Sequence, residues 1–232
     1  MSTTPFHFSI SKALKEVWGI YTKHLTFFLV LGAIMMVLNF GADNKHLPVV
    51  LSVLIGIVSF VVSIVWLKVS LHAVRSQDDK LVLGRMVDLV PSFTQCLSLI
   101  GVYLLSALFV LAGFVVFIIP GIYVAFRLTF AGLGYLDRQE GVRASVRFSW
   151  DITKGVFWTV LLVGLTALVL YILGTITFGI GLLITYPLAT LLTAKLYIAL
   201  VERYEHTQAV AVQPAEIPPT PPTPSIDTEP MQ

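Results

Sequence analysis

Six long apolar segments occupy most of the chain up to residue 203, and they limit the fold more than any other feature. They cover about 25–41, 48–74, 97–119, 121–136, 156–178 and 180–203. A helix needs about 20 apolar residues to cross a bilayer core, where every backbone polar group must be bonded internally. Only 12% of the chain is charged and its mean hydropathy is +0.88, whereas about a quarter of a soluble domain is charged. The sequence therefore predicts an all-α membrane protein with six transmembrane helices.

The fourth segment follows the third after only Ile119-Pro120-Gly121. One helix made of both segments would be much longer than the bilayer is thick. Pro120 and Gly121 therefore predict a structural turn between two antiparallel helices, because proline breaks a helix and glycine favours turns. We accordingly expect the six helices to form three hairpins.

A shorter stretch with one apolar and one polar face precedes each predicted hairpin. The first lies within 9–24, the second covers 81–90 and ends at Pro91, and the third covers 141–154. In the first stretch the residues of the apolar face are Ile10, Leu14, Val17 and Tyr21. This spacing is typical of an amphipathic helix that lies at a membrane surface with its basic side in water.

Together, each surface helix and its hairpin form a predicted unit, at about 9–75, 80–138 and 141–203. The three units make up a predicted membrane domain at 1–203, and both a threefold repeat and three unrelated hairpins are consistent with the pattern. Residues 204–232 hold 7 of the 12 prolines and are poor in large apolar residues. They are predicted to be a disordered cytoplasmic tail, either simply solvated or docking to an aromatic groove as polyproline II.

The distribution of basic residues predicts the orientation of the chain. With the N-terminus in the cytoplasm, Lys45 is the only one of the 15 Lys and Arg residues in an outer connection. Cytoplasmic loops carry the excess of Lys and Arg in membrane proteins. The N-terminal residues also lack the basic start and short apolar core of a cleaved signal peptide. We expect a multi-pass protein of the plasma or inner membrane with both termini in the cytoplasm.

Three cations lie inside predicted spans, where charges are costly and often functional. They are Lys68, Arg127 and Lys195, and Arg127 is predicted near the middle of its span, facing the bundle. In one hypothesis they line a site for an anionic group such as a lipid phosphate. In the alternative they pair with acidic residues and lock the surface helices to the bundle. The acidic candidates for this pairing are Asp88, Asp137, Asp151 and Glu202.

Catalytic, metal and nucleic-acid functions have no support in the sequence. There is one cysteine, the five histidines are scattered, and the net charge is only +2, so no cofactor, metal or nucleic-acid partner is predicted. No known catalytic motif and no deep intramembrane carboxylate is present, which disfavours an enzyme and coupled transport.

The predicted function is therefore a non-enzymatic membrane protein that engages anionic lipid or a membrane partner through its basic surface helices. The candidate residues on the third of these are Arg143, Arg147 and Lys154. The partners we expect are membrane lipids, with a second membrane protein or another copy of the chain as further possibilities. The alternative function is a transporter or channel for a small or anionic solute, with Arg127 in its pathway.

The stretch 119–161 joins a Pro-Gly turn, an Arg-bearing helix and an S-W-x-x-T-K-G segment. In this it resembles poorly characterised prokaryotic membrane proteins, namely the UPF0259-like inner-membrane proteins and the membrane-anchor domain of some glycerophosphodiester phosphodiesterases. The resemblance covers about 9–203 and implies a six-helix membrane module. The positions that match its recurrent residues are Pro120, Gly121, Arg127, Ser149, Trp150, Thr153, Lys154 and Gly155. The phosphodiesterase domain itself is not present, so the resemblance does not imply that activity.

Overall fold

The computed structural model describes residues 8–42, 48–75, 90–177 and 181–212. Within these ranges the chain forms nine α-helices and no strand. The helices are α1 (Ile10–Lys23), α2 (Leu25–Ala42), α3 (Val49–Arg75), α4 (Phe93–Val116), α5 (Ile118–Leu128), α6 (Ala131–Arg138), α7 (Val142–Ile152), α8 (Phe157–Ile176) and α9 (Leu182–Val212). The predicted all-α class is confirmed for this part of the chain.

Five helical stretches among the described residues are long and apolar enough to cross a membrane, and α5 and α6 together form one of them. The count reaches six if α1 and α2, which meet at an angle of 89°, are taken as one broken span. These lengths and compositions make the chain a multi-pass membrane protein with five to six helices capable of spanning a bilayer.

The centre of the bundle is α9, which packs against α1, α2, α3, α7 and α8. Its innermost side chains are Leu191, Leu192, Leu196, Tyr197 and Leu200, all with no exposed surface. On α3, the buried Trp66 donates its indole N–H to Thr190 Oγ1 of α9 at 3.0 Å. Because a buried indole N–H needs an acceptor, this bond fixes α3 against α9.

The α1 helix packs against the bundle through one face. Its buried residues are Ala13, Val17 and Tyr21, whereas Lys12 and Lys15 are exposed. The face predicted to be apolar therefore nearly coincides with the face that packs against the bundle. In the packed face Ala13 is central, and Leu14 lies at the edge. The second predicted surface helix, 81–90, lies outside the described residues except for its last residue.

The predicted turn at Pro120 and Gly121 is wrong in position. The break between α4 and α5 lies at Phe117, whose φ of −166° and ψ of 159° are extended, and both Pro120 and Gly121 belong to the first turn of α5. Proline is tolerated there because the first N–H groups of a helix have no intrahelical acceptor. Gly121 is required for packing, since a Cβ at this position would lie only 2.5 Å from the Phe114 ring of α4.

The predicted boundary of the tail also needs correction. Residues 204–212 continue α9 without a break, so the helix extends past residue 203. The physical reason is that this stretch contains neither proline nor glycine, and the first proline of the tail is Pro214. The remaining tail, 213–232, lies outside the described residues.

Candidate functional site

The α7 helix is held between two glycines with backbone angles that L side chains rarely adopt. Gly141 before the helix has a φ of 94°, and Gly155 after it has a φ of 75°. The inner face of α7 is fixed by Ser149, which is fully buried and donates its hydroxyl to the Arg127 carbonyl at 2.7 Å. Next to it, Phe148 packs under the Arg138 guanidinium, whose carbon lies 4.2 Å from the ring centroid. These contacts leave the opposite face of α7 available.

Arg127 is buried beside two aromatic rings, with only 8% of its surface exposed. Its guanidinium carbon lies 5.1 Å from the Tyr123 ring centroid and 4.7 Å from that of Trp150. Its Nε donates to Tyr123 Oη at 2.9 Å, and its Nη1 donates to the Trp150 carbonyl at 2.8 Å. No carboxylate of the described residues pairs with it. Stacking and hydrogen bonds to neutral acceptors therefore hold this cation in place.

Arg127 faces the protein interior, as expected. It lies beside the first turns of α8. The Tyr123 ring that covers it contacts Phe157, the first residue of α8, at a centroid distance of 5.0 Å. The neighbouring Phe126 lies against Gly164 in the second turn of the same helix. The structural effect of Arg127 is to fix the Trp150 backbone and ring, and with them the end of α7.

A groove of about 960 Å³ opens between α7 and the helices α4 and α5, which pack against each other. Its apolar wall consists of Leu105, Phe109, Ala112, Gly113 and Val116 from α4 and Val124 and Leu128 from α5. Its other side consists of Arg143, Val146, Arg147, Trp150, Asp151 and Lys154. These six residues recur every three or four positions along α7 and the turn that follows it, so they lie on one side, which we call the basic face of α7. Arg127 is not among the residues that line this groove.

The cations of the basic face differ in how strongly they are engaged. Lys154 Nζ pairs with Asp151 Oδ1 at 2.7 Å, and the same carboxylate lies 4.0 Å from Arg147 Nε. The Arg147 side chain is nevertheless 87% exposed. Arg143 is exposed and forms no hydrogen bond or ion pair with any residue that the structure describes. Arg143 and Arg147 are four residues apart, so their Cβ atoms are about 5–6 Å apart along the same face and can approach one anion.

The other predicted cations do not join this site. Lys68 Nζ donates to Gln95 Oε1 of α4 at 3.0 Å. Lys195 forms an ion pair with Glu16, which ties α9 to α1. Lys68, Arg127 and Lys195 thus have different partners, and the structure does not bring them together.

Two of the acids predicted as partners of these cations are engaged elsewhere. Asp137 pairs with Arg75 at 2.7 Å, and Asp151 pairs with Lys154 as described above. Lys195 does pair with an acid and ties α1 to α9, but that acid is Glu16, which is not one of the predicted partners. A further candidate, Asp88, lies outside the described residues.

The apolar wall and the role of Trp150 were not identified from the sequence. Two features could have indicated them. Trp150 shares a helical face with Arg143 and Arg147, so that face combines apolar and basic groups. On α4, Ala112 and Gly113 are adjacent small residues, and small residues leave space beside a helix.

Among the described residues, no group of His, Cys, Asp or Glu side chains is arranged to hold a metal ion. The lining of the groove is cationic on one side and apolar on the other. Comparison with models of protein families, with curated proteins and with solved structures finds no match for this chain.

Proposed function

We propose that this chain is a non-enzymatic membrane protein that binds anionic phospholipid through the basic face of α7. The observation that supports this proposal is the groove, where Arg143 and Arg147 lie opposite a wall of apolar residues. An anionic phospholipid carries the complementary pair of groups, a phosphate and apolar chains. Arginine suits the phosphate because its planar guanidinium donates two parallel hydrogen bonds.

The electrostatic contribution of these arginines is large enough to make binding selective for anionic over zwitterionic lipid. A basic residue near an anionic membrane surface contributes on the order of 1 kcal/mol. Asp151 offsets the charge of Lys154, with which it pairs at 2.7 Å, so Arg143 and Arg147 remain as the effective charges. Two such charges give about 2 kcal/mol, which corresponds to a preference of about 30-fold for anionic over zwitterionic lipid.

The proposal includes a topology. We place α1 and α7 at the cytoplasmic surface of the plasma or inner membrane, with α2 as the first of six spans that form three hairpins. The 89° bend between α1 and α2 is consistent with a surface helix that leads into a span. The proposed membership of the UPF0259-like and phosphodiesterase-anchor group rests on the stretch 119–161 and implies the same six-helix module.

Transport through a pathway at Arg127 has less support. Only 8% of the Arg127 surface is exposed, and its guanidinium already donates to Tyr123 Oη and to the Trp150 carbonyl. A cation in this environment stabilises local packing and offers little surface to a passing solute. We therefore place the ligand at the groove.

The test is a competition between two lipids. The full chain, purified in mild detergent, is incubated with equal amounts of phosphatidylglycerol and phosphatidylcholine, and bound lipid is counted by native mass spectrometry. We expect a preference of about 30-fold for phosphatidylglycerol, which falls at least tenfold in the double variant Arg143→Gln/Arg147→Gln.

The matched control is Lys12→Gln/Lys15→Gln, which removes the same charge from exposed positions of α1. It should retain most of the preference for phosphatidylglycerol. An equal loss in both double variants would indicate nonspecific attraction by net charge. Equal binding of the two lipids by the wild-type chain would refute the proposed function.

A further inference from the structure

The apolar wall of the groove is as long as one lipid leaflet is thick. On α4 it extends from Leu105 to Val116. At 1.5 Å per residue these positions span about 16 Å, and half of a hydrocarbon core of about 30 Å is about 15 Å. The wall therefore matches the length of one acyl chain.

The volume of the groove favours a lipid over a partner helix. Ligand sites occupy about 300–1,000 Å³, and the groove of about 960 Å³ lies at the upper end of that range. A helix has a diameter of about 10–12 Å, so 16 Å of it would fill more than about 1,200 Å³. The phosphate and one acyl chain of a lipid fit this space, whereas a helix of the same length does not.

The positions of the charges suggest how the lipid lies. Gly101 of α4 packs against Val142, since a Cβ at Gly101 would lie 3.2 Å from the Val142 side chain. The adjacent Arg143 is therefore near the Leu105 end of the wall. From there the wall continues past Ala112 to Val116, away from the start of α7.

We infer that the groove holds a single anionic phospholipid, with its phosphate between Arg143 and Arg147 and one acyl chain along α4 from Leu105 to Val116. This inference rests on the proposed function and adds a stoichiometry and a site for the chain. Attraction to a membrane surface would need only the charges. A held lipid also needs the space beside Ala112.

The experiment fills that space and leaves the charges unchanged. Ala112 and Ala107 are both exposed residues of α4, but only Ala112 lines the groove. Ala112→Trp should lower the bound phosphatidylglycerol, counted by native mass spectrometry, from one molecule per chain by at least tenfold. Ala107→Trp should bind as the wild type does, and the melting temperature of each variant reports whether it folds.

A second pair of variants keeps the test decisive if Ala112→Trp does not fold. Val116 lines the groove and is 66% exposed, whereas its neighbour Val115 is 79% exposed and lies outside the groove. Val116→Trp should reduce the bound lipid, and Val115→Trp should not.

The two proposals fail in different ways. If phosphatidylglycerol is preferred and the preference depends on Arg143 and Arg147, but filling the groove has no effect, the held lipid is refuted and the charge-based function stands. If the wild-type chain shows no preference at all, both are refuted.

Discussion

The stability of the bundle should depend more on Asp137 than on either group it binds. The Asp137 carboxylate accepts two hydrogen bonds from Arg75, at 2.7 and 3.1 Å, and one from Tyr197 Oη at 3.0 Å. It thereby joins α3, α6 and α9. Tyr197 has no exposed surface, whereas the Arg75 side chain is 52% exposed.

The magnitudes follow from this difference in burial. In Asp137→Ala the buried Tyr197 hydroxyl loses its acceptor, which costs about 1–3 kcal/mol. The lost pairing with the half-exposed Arg75 adds about 0.2–1 kcal/mol. Asp137→Ala should therefore lower the free energy of unfolding by about 1–4 kcal/mol, and Arg75→Ala, which leaves the hydrogen bond between Tyr197 and Asp137 in place, should lower it by less.

The assay is unfolding of the purified protein in mixed detergent and dodecyl sulfate micelles, followed by circular dichroism. The second substitution Tyr197→Phe removes the hydroxyl that Asp137→Ala leaves without an acceptor. The double variant Asp137→Ala/Tyr197→Phe should therefore be more stable than Asp137→Ala alone. The reasoning is refuted if Tyr197→Phe gives no rescue, or if Arg75→Ala costs as much as Asp137→Ala.

Gly113→Ala and Arg127→Lys test the packing around the groove, and Gly56→Ala serves as a control. Gly113→Ala should destabilise the protein by about 1–3 kcal/mol because its Cβ would lie 2.9 Å from the Gly121 backbone. Gly56→Ala should be neutral or stabilising by up to about 1 kcal/mol, since no atom lies within 4 Å of its Cβ. Equal losses of stability in the two melting curves would contradict this difference. Arg127→Lys keeps the charge but loses the flat stacking and one of two hydrogen bonds, so the free energy of unfolding should fall by about 2 kcal/mol. An unchanged melting temperature and unchanged Trp150 fluorescence would contradict the role of Arg127.

The fold class follows from the sequence because apolar length alone decides which segments can span a bilayer. The predicted segments 48–74 and 156–178 end within one to two residues of α3 and α8. The position of the turn did not follow, because Pro120 is equally acceptable in a loop and in the first turn of a helix. The choice depends on the close contact between Gly113 and Gly121, which is a tertiary feature.

The partners of the cations are also tertiary. Lys195 pairs with Glu16, which is far away in the chain, and Arg127 bonds a backbone carbonyl that has no sequence signature. Residues Arg143 and Arg147 could be identified because surface charges at helical spacing are visible in a sequence. The groove opposite them could not, since it arises from the position of α7 beside α4 and α5.

A cryo-electron microscopy map of the chain in nanodiscs that contain phosphatidylglycerol would show what occupies the groove. We expect continuous density along α4 from Leu105 to Val116, with a phosphate peak in hydrogen-bonding contact with Arg143 and Arg147. The same map from phosphatidylcholine nanodiscs should lack the phosphate peak at these arginines. A groove closed by protein side chains, or equal density with both lipids, would contradict the proposed binding of anionic lipid.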